Sequence, residues 1–200
     1  MYQEAPRGEA RREAILRATL AVIAAHGTDG VTHRAVAAEA GVPPSATTYW
    51  FSSRDELLEE ALRFAAREET DRLERLVLDL APRELTVAEW AEALASMLLS
   101  ELEAEPERHM ALYELGLEAA RRPDLRPEVE HMHASQLRLA AVGARAAGSE
   151  DPTADAPIIV AATFGLLFAQ LALPRERDVL RPALERLFER LVAAAPPSSG

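Results

Sequence analysis

Residues 31–54 read VTHRAVAAEAGVPPSATTYWFSSR, and the way this stretch punctuates itself decides the fold. Thr32 stands where a hydroxyl can cap a short helix, His33 to Ala40, by accepting from a free backbone N–H of its first turn. Gly41 stops that helix, in a conformation costly for any residue that carries a Cβ. A second short helix is predicted from about Pro44 to Phe51, because proline suits a first helical turn, where its missing N–H is not needed. Val36, Ala37 and Ala40 point inward, and their small size lets the two helices cross closely. Two short helices joined by so tight a turn form a helix-turn-helix, which presents its second helix to a major groove wide enough to admit it.

The flanking sequence extends the pattern. A first helix is predicted from Gly8 to His26, with Ile15, Thr19, Val22, Ile23 and His26 on one face and Gly27 as its left-handed terminator. Ser53 caps a long fourth helix, and Glu56 three residues later completes a capping box. Leu58, Leu62, Ala65, Leu73, Leu76 and Leu80 line one side of that helix until Pro82 closes it. Five further helical stretches follow, at about 86–104, 106–121, 127–147, 155–173 and 177–194, separated by Pro106, Pro123 and Pro127, Gly148 and Pro152, and Pro174. No segment alternates with period two, and no internal repeat is present. The expected fold is all-α with about nine helices: a head over 1–54, a body over 55–195, and a disordered tail over 196–200.

Composition narrows the function. The 200 residues hold no cysteine, which excludes a disulfide framework, a thiolate nucleophile and a cysteine-based zinc site. The opening MYQEAPRGEARRE has no apolar run and makes no signal peptide, and Ala156–Leu173, broken by Pro157, Thr163, Gly165 and Gln170, reads as a buried or interface helix with no membrane role. A cytoplasmic location is expected. The net charge of −11 argues against a nucleic-acid partner until its distribution is examined. Residues 1–54 carry six Arg (7, 11, 12, 17, 34, 54) against five acids (4, 9, 13, 29, 39), a net of +1, so the remainder carries −12. Screening confines the repulsion of that acidic body to about 8–10 Å at physiological salt, leaving the head free to meet phosphates.

Residues 8–60 resemble the DNA-binding head of the tetracycline-repressor (TetR) family of transcriptional regulators. The matching run begins RREAILRATLAVIAAHGTDGVT, continues HRAVAAEAGV, and ends TTYWFSSRDELLEEAL. The chain departs from the family pattern at Pro43, Ser45 and Thr48. The resemblance implies a homodimer on a palindromic operator, and it implies roles for individual residues. Thr32, His33 and Arg34 open the second helix, where they would hold phosphates or reach a base edge. Pro44, Ser45, Ala46 and Thr48 occupy the start and outer face of the recognition helix, with hydroxyls for hydrogen bonding and apolar surface for thymine methyls. Tyr49 and Trp50 would reach the backbone, and Arg54 would clamp a phosphate from the start of the fourth helix. Three aromatics in succession on a short helix cannot all face DNA. Phe51 is assigned to the core, and one of Tyr49 and Trp50 to packing against the first or fourth helix. Arg7, Arg11 and Arg12 could form an arm near the minor groove.

For the body, the penultimate helix is apolar nearly all round, which calls for burial on more than one side, and the last carries an apolar stripe. Ile158, Phe164, Leu167 and Leu171 on the first, with Leu180, Leu184, Leu187, Phe188 and Leu191 on the second, would build a four-helix dimer bundle, the arrangement the resemblance also implies. The middle helices would enclose a pocket for a small, largely apolar effector, lined by Trp90, Leu94, Met97, Met110, Tyr113, Leu117, Met132, Gln136, Phe164 and Phe168. No cofactor is expected, and no metal: His131 and His133 lie two apart on a helix and point in different directions. The absence of a glycine-rich phosphate loop or nucleophile elbow argues against an enzyme. The rival reading is a helical adaptor or scaffold that has lost DNA binding.

Overall fold

The structure, a computed structural model, describes residues 4–83, 85–173 and 180–193. Among these the regular elements are all helical: α1 (Glu4–His26), α2 (His33–Glu39), α3 (Pro44–Trp50), α4 (Arg54–Leu80), α5 (Val87–Ala104), α6 (Pro106–Arg121), α7 (Arg126–Ala146), α8 (Pro152–Ala172) and α9 (Leu180–Ala193), with 3-10 turns at Thr28–Gly30 and Pro123–Leu125. The expected tail, 196–200, lies outside the described residues.

Helix ends follow from local chemistry. Gly27, Gly41 and Gly148 have φ of 69°, 63° and 85°, and no other described residue has a positive φ. At Gly41 the Val42 N–H reaches Ala37 O at 3.0 Å and the Gly41 N–H reaches Ala38 O at 3.3 Å, the paired bonds of a Schellman stop. Thr32 Oγ1 accepts from Ala35 N at 3.1 Å, as expected of a cap for α2. On α4 the predicted capping box is shifted by one residue. Ser53 Oγ accepts from Glu56 N at 3.1 Å, but the Glu56 carboxylate reaches back to the N–H of Ser52, at 2.6 Å, and to its hydroxyl. α8 starts three residues earlier than predicted because Asp151 caps it, accepting from Ala154 N at 3.1 Å, with Pro152 in the first turn. Pro157 is carried inside that helix, near exposed Thr153, so the carbonyl deprived of its helical partner faces water.

The helices gather into two compact units whose makeup differs from the expected division at residue 54. The first joins Glu105–Glu130 to the chain up to Glu69; the second joins Thr70–Ala104 to the chain from His131 onward. α6, expected in the body, packs on α1 and buries Ala111, Leu112 and Leu115. The first unit's core holds Ile15, Leu16, Ile23, Val31, Val36, Phe51, Leu57 and Leu62, all 0–1% exposed. Thr19 joins it because its hydroxyl donates to Ile15 O at 2.8 Å. His26, predicted on the inward face, is exposed. A buried ion pair, Arg108 Nη1 to Glu69 Oε2 at 2.6 Å, lies in this unit.

The second unit's core contains Leu73, Trp90, Ala91, Ala95, Leu139, Ala140, Ala144, Ile159, Leu184 and Phe188. Trp90 packs directly on Gly143, where a Cβ would come within 2.1 Å of its Nε1. Among the described residues, α8 is the one helix with the length and composition to cross a membrane, and only 17% of its most apolar window is buried.

Two outcomes follow. Gly143→Ala should destabilise the protein by roughly 1–3 kcal/mol, because overpacking against the fixed Trp90 ring outweighs the ~1 kcal/mol that alanine gains over glycine in a helix. Urea unfolding would show it as a lower midpoint. The hydrogen bonds from Ser52 hold the Glu56 carboxyl below the usual glutamate value of about 4.3. A carboxyl depressed in the folded state contributes stability that is full above the unfolded value and is lost as pH falls through the folded one. Glu56→Gln should therefore flatten the dependence of melting temperature on pH below about 4.3 and leave neutral-pH slopes unchanged.

Candidate nucleic-acid interface

α3 is seven residues long and would not hold as an isolated helix; its orientation comes from packing. Thr47, inside α3, is fully buried, and its hydroxyl donates to Pro44 O at 2.8 Å and sits 3.2 Å from His33 Nδ1 on α2. Phe51 closes the helix in the core, with the Arg12 guanidinium 5.4 Å above its ring and tied to Glu60 at 2.6 Å. Trp50 is half-buried and packs over Gly8 of α1, where a Cβ would stand 3.5 Å from the ring. Tyr49 meets Trp50 edge-on, centroids 5.1 Å apart, and is 79% exposed. The alternative left open by the sequence is thereby decided in packing terms: Trp50 is the aromatic held against α1, and Tyr49 stands outward.

With these groups turned in, the outer face of the motif consists of Pro43, Pro44, Ser45, Thr48 and Tyr49, with Ala46 half-buried beside them. Thr32 is exposed but its hydroxyl is used in the cap, and His33 is half-buried beside Thr47. Arg34 is exposed and, among the described residues, makes no hydrogen bond or ion pair. An open cleft of about 750 Å³ runs between the start of α1 and α3, lined by Gly8, Ala10, Arg11, Pro43, Ser45, Ala46, Tyr49 and Trp50.

Arg54 does not stand free as the expected phosphate clamp. Its Nε donates to Val31 O at 2.9 Å and its Nη2 to Thr28 O at 2.7 Å, while Asp55 and Asp29 lie at 3.3 and 3.8 Å. The planar fork bridges Val31 O and Thr28 O, the second of which also accepts the Val31 N–H at 3.2 Å, where the 3-10 turn gives way to α2. Arg17 is likewise committed, to Glu13 at 3.0 Å and to Glu68, and lies over Phe64. Of the head's arginines with described side chains, Arg11 and Arg34 are the two without an internal partner.

Two family models match the chain: "Bacterial regulatory proteins, tetR family" over residues 15–61 and "Tetracyclin repressor-like, C-terminal domain" over residues 85–194. The chain belongs to the TetR family. As a TetR-family chain it is a DNA-binding transcriptional regulator by descent, and α2 and α3 are the helix-turn-helix of that family. It is similar to the multidrug binding protein EbrR in complex with imidazole, at 30% identity and a TM-score of 0.66, covering 95% of this chain and 98% of that one. A TetR-family member from Streptomyces coelicolor A3 is 31% identical with a TM-score of 0.65, over 88% of this chain and 97% of that one. The HTH-type transcriptional regulator PksA of Bacillus subtilis (strain 168) is 40% identical over 77 residues, a match spanning 38% of each protein.

The body residues expected to line the pocket are divided between the two units. Trp90 and Met132 are buried, and Leu94, Met97 and Gln136 half-buried, in the second unit; Gln136 Oε1 lies 3.3 Å from His133 Nδ1. Met110, Tyr113 and Leu117 belong to the first unit, and Met110 and Leu117 are 41% and 55% exposed. Of the expected dimer residues, Leu184 and Phe188 are fully buried and Leu167 nearly so within the chain's own core, where they are unavailable to a partner. Leu171 and Leu187 are half-buried, and the side chains of Leu180 and Leu191 lie outside the described residues. Ile158, Phe164 and Phe168 are 53%, 44% and 56% exposed on α8. Among the described residues no group of three or more His, Asp or Glu is gathered as a metal site.

Arg54→Ala should cost the head on the order of 1–3 kcal/mol, because Val31 O loses its side-chain donor and Thr28 O is left with the Val31 N–H alone. Arg54→Lys should recover only part of that, since an ammonium cannot bridge both. Thermal melts of the two variants distinguish this structural role from phosphate contact. A phosphate clamp would leave the melting temperature unmoved and weaken only DNA binding.

Proposed function

We propose that this regulator is a cytoplasmic homodimeric repressor that holds a palindromic operator and releases it when a small, largely apolar effector binds its body. The observation that carries the DNA half of this reading is the outward face of α3, with Ser45, Thr48 and Tyr49 exposed and the unpaired Arg34 on the neighbouring helix. A single α3 is a weak reader, and two of them spaced about 34–36 Å apart would meet successive major grooves of one duplex. Ile158, Phe164 and Phe168 on α8 offer the apolar surface for the second subunit. Trp90, Leu94, Met97, Met132 and Gln136 supply the aromatic, thioether and amide groups offered to an effector. Support for such a ligand comes from EbrR, a multidrug binding protein found in complex with imidazole and with ethidium. An effector with higher affinity for a dimer of altered helix spacing would draw the population away from the operator-bound state.

The test is selection of duplexes from a random pool, followed by anisotropy titrations on the enriched sequence. A two-fold symmetric motif is expected, and an unenriched pool would favour the adaptor reading. Arg34→Ala and Arg11→Ala should each weaken binding to all duplexes alike and reduce the log–log salt slope by about one. A slope unchanged in both would remove phosphate contact from these positions. Ethidium, as a trial effector, should lower operator affinity for the wild type more than for Trp90→Leu.

A further inference from the structure

The face that α3 presents has an unusual chemistry for a base reader. Guanine is read in the major groove by Arg or Lys, adenine by Asn or Gln, and cytosine by Glu or Asp, each through one or two hydrogen bonds of fixed direction. From Val42 to Trp50 the chain contains none of these six residue types. What remains is hydroxyl and hydrocarbon, and the structure turns the two threonine hydroxyls back on the protein. Thr47 is fully buried with its Oγ1 held by Pro44 O at 2.8 Å and by His33. Thr48 Oγ1 turns back on its own helix, 3.4 Å from Pro44 O and 3.3 Å from Ser45 O. Both contacts are long for a hydroxyl bond, and the exposed side chain carries a methyl beside that hydroxyl. Among the described residues, neither Ser45 Oγ nor the exposed Tyr49 hydroxyl has a partner, and each is free to make a single hydrogen bond, Ser45 from the first turn of the helix. Around Ser45 lie the exposed pyrrolidine rings of Pro43 and Pro44 and the half-buried Ala46.

The geometry points to α3 as a reader of thymine methyl groups. On the reading that this chain binds DNA, the half-site under α3 presents thymine 5-methyls to Pro43, Pro44, Ala46 and the Thr48 methyl. Ser45 and Tyr49 each offer one single-point hydroxyl, and no bidentate guanine or adenine contact comes from this helix. The 5-methyl is the one apolar group on the major-groove edge of the four bases, so it is the feature that such a surface distinguishes.

The probe is the operator enriched from random duplexes by the full-length protein, remade with deoxyuridine at single thymines. This substitution removes the methyl and leaves pairing and O4 intact. At two or more positions per half-site, affinity should fall about fourfold per methyl, the equivalent of ~0.8 kcal/mol for a buried carbon. Thr48→Ser, which removes a methyl and keeps the hydroxyl, should weaken binding to the thymine operator. At one position it should bring no further loss once that base is uridine. In the converse arm, 7-deazaguanine within the α3 footprint should change affinity less than twofold. An enriched motif that tolerates uridine everywhere, or loses tenfold or more on 7-deazaguanine there, overturns methyl reading while DNA binding stands. A pool with no enriched motif overturns the DNA-binding reading, and methyl reading falls with it.

Discussion

The positive φ of Gly41, 63°, is the constraint on which the head depends. α2 and α3 are each seven residues long, well below the length at which a helix sustains itself in water. They exist because the turn between them closes its own hydrogen bonds and packs α3 on α2, which itself rests on α1, with Trp50 reaching Gly8 of α1. A side chain at Gly41 would meet no atom within 4 Å, so the requirement is one of backbone conformation and not of space. Once the turn is made, Thr47, Trp50 and Phe51 are fixed inward by helical spacing, and Ser45, Thr48 and Tyr49 are fixed outward by the same rule. The outward residues are therefore free of packing duty, which is the condition for a surface that can vary with its target.

Electrostatics imposes a second economy. Arg12, Arg17 and Arg54 spend their charge inside the head, on Glu60, on Glu13 and Glu68, and on backbone carbonyls with Asp29 and Asp55 nearby. These pairs lie partly in solvent, so each contributes little to stability through charge alone. Their value is geometric, since a guanidinium fork can hold several acceptors in fixed directions. The cost is that a chain of net charge −11 keeps few free cations on the face that would meet DNA. Long-range steering toward a polyanion is correspondingly weak, and short-range contact must supply most of the binding.

The helices were legible because glycine, proline and capping residues mark their ends, and these are local properties. Gly27, Gly41, Thr32 and Ser53 act where the sequence placed them. The packing partners were far less legible. Leu184, Phe188, Phe164 and Phe168 are equally apolar and lie on helices of similar pattern, yet the first two are buried in the chain's own core and the last two stand exposed. Periodicity tells which face of a helix is apolar and says nothing about which neighbour covers it. The internal bonds of Arg54 were illegible for a related reason: a sequence shows a charge but not the carbonyls of Val31 and Thr28 beside it. The grouping of α6 with α1 was out of reach because it joins segments some ninety residues apart.

A methyl-reading helix also explains why such a regulator needs a partner subunit. A buried methyl yields ~0.8 kcal/mol, against about 1–3 kcal/mol for a bidentate pair. Four such contacts under one α3 would discriminate by only ~3 kcal/mol, less than the roughly 4–10 kcal/mol that separates specific from non-specific binding. Two half-sites bring the sum to ~6 kcal/mol, inside that range. Selectivity would then come from the number of contacts held in register, and register is set by how rigidly the two subunits are joined. On this account the exposed Ile158, Phe164 and Phe168 of α8 matter to sequence reading as directly as Thr48 does, because an apolar interface that fixes the spacing converts eight weak contacts into one cooperative event.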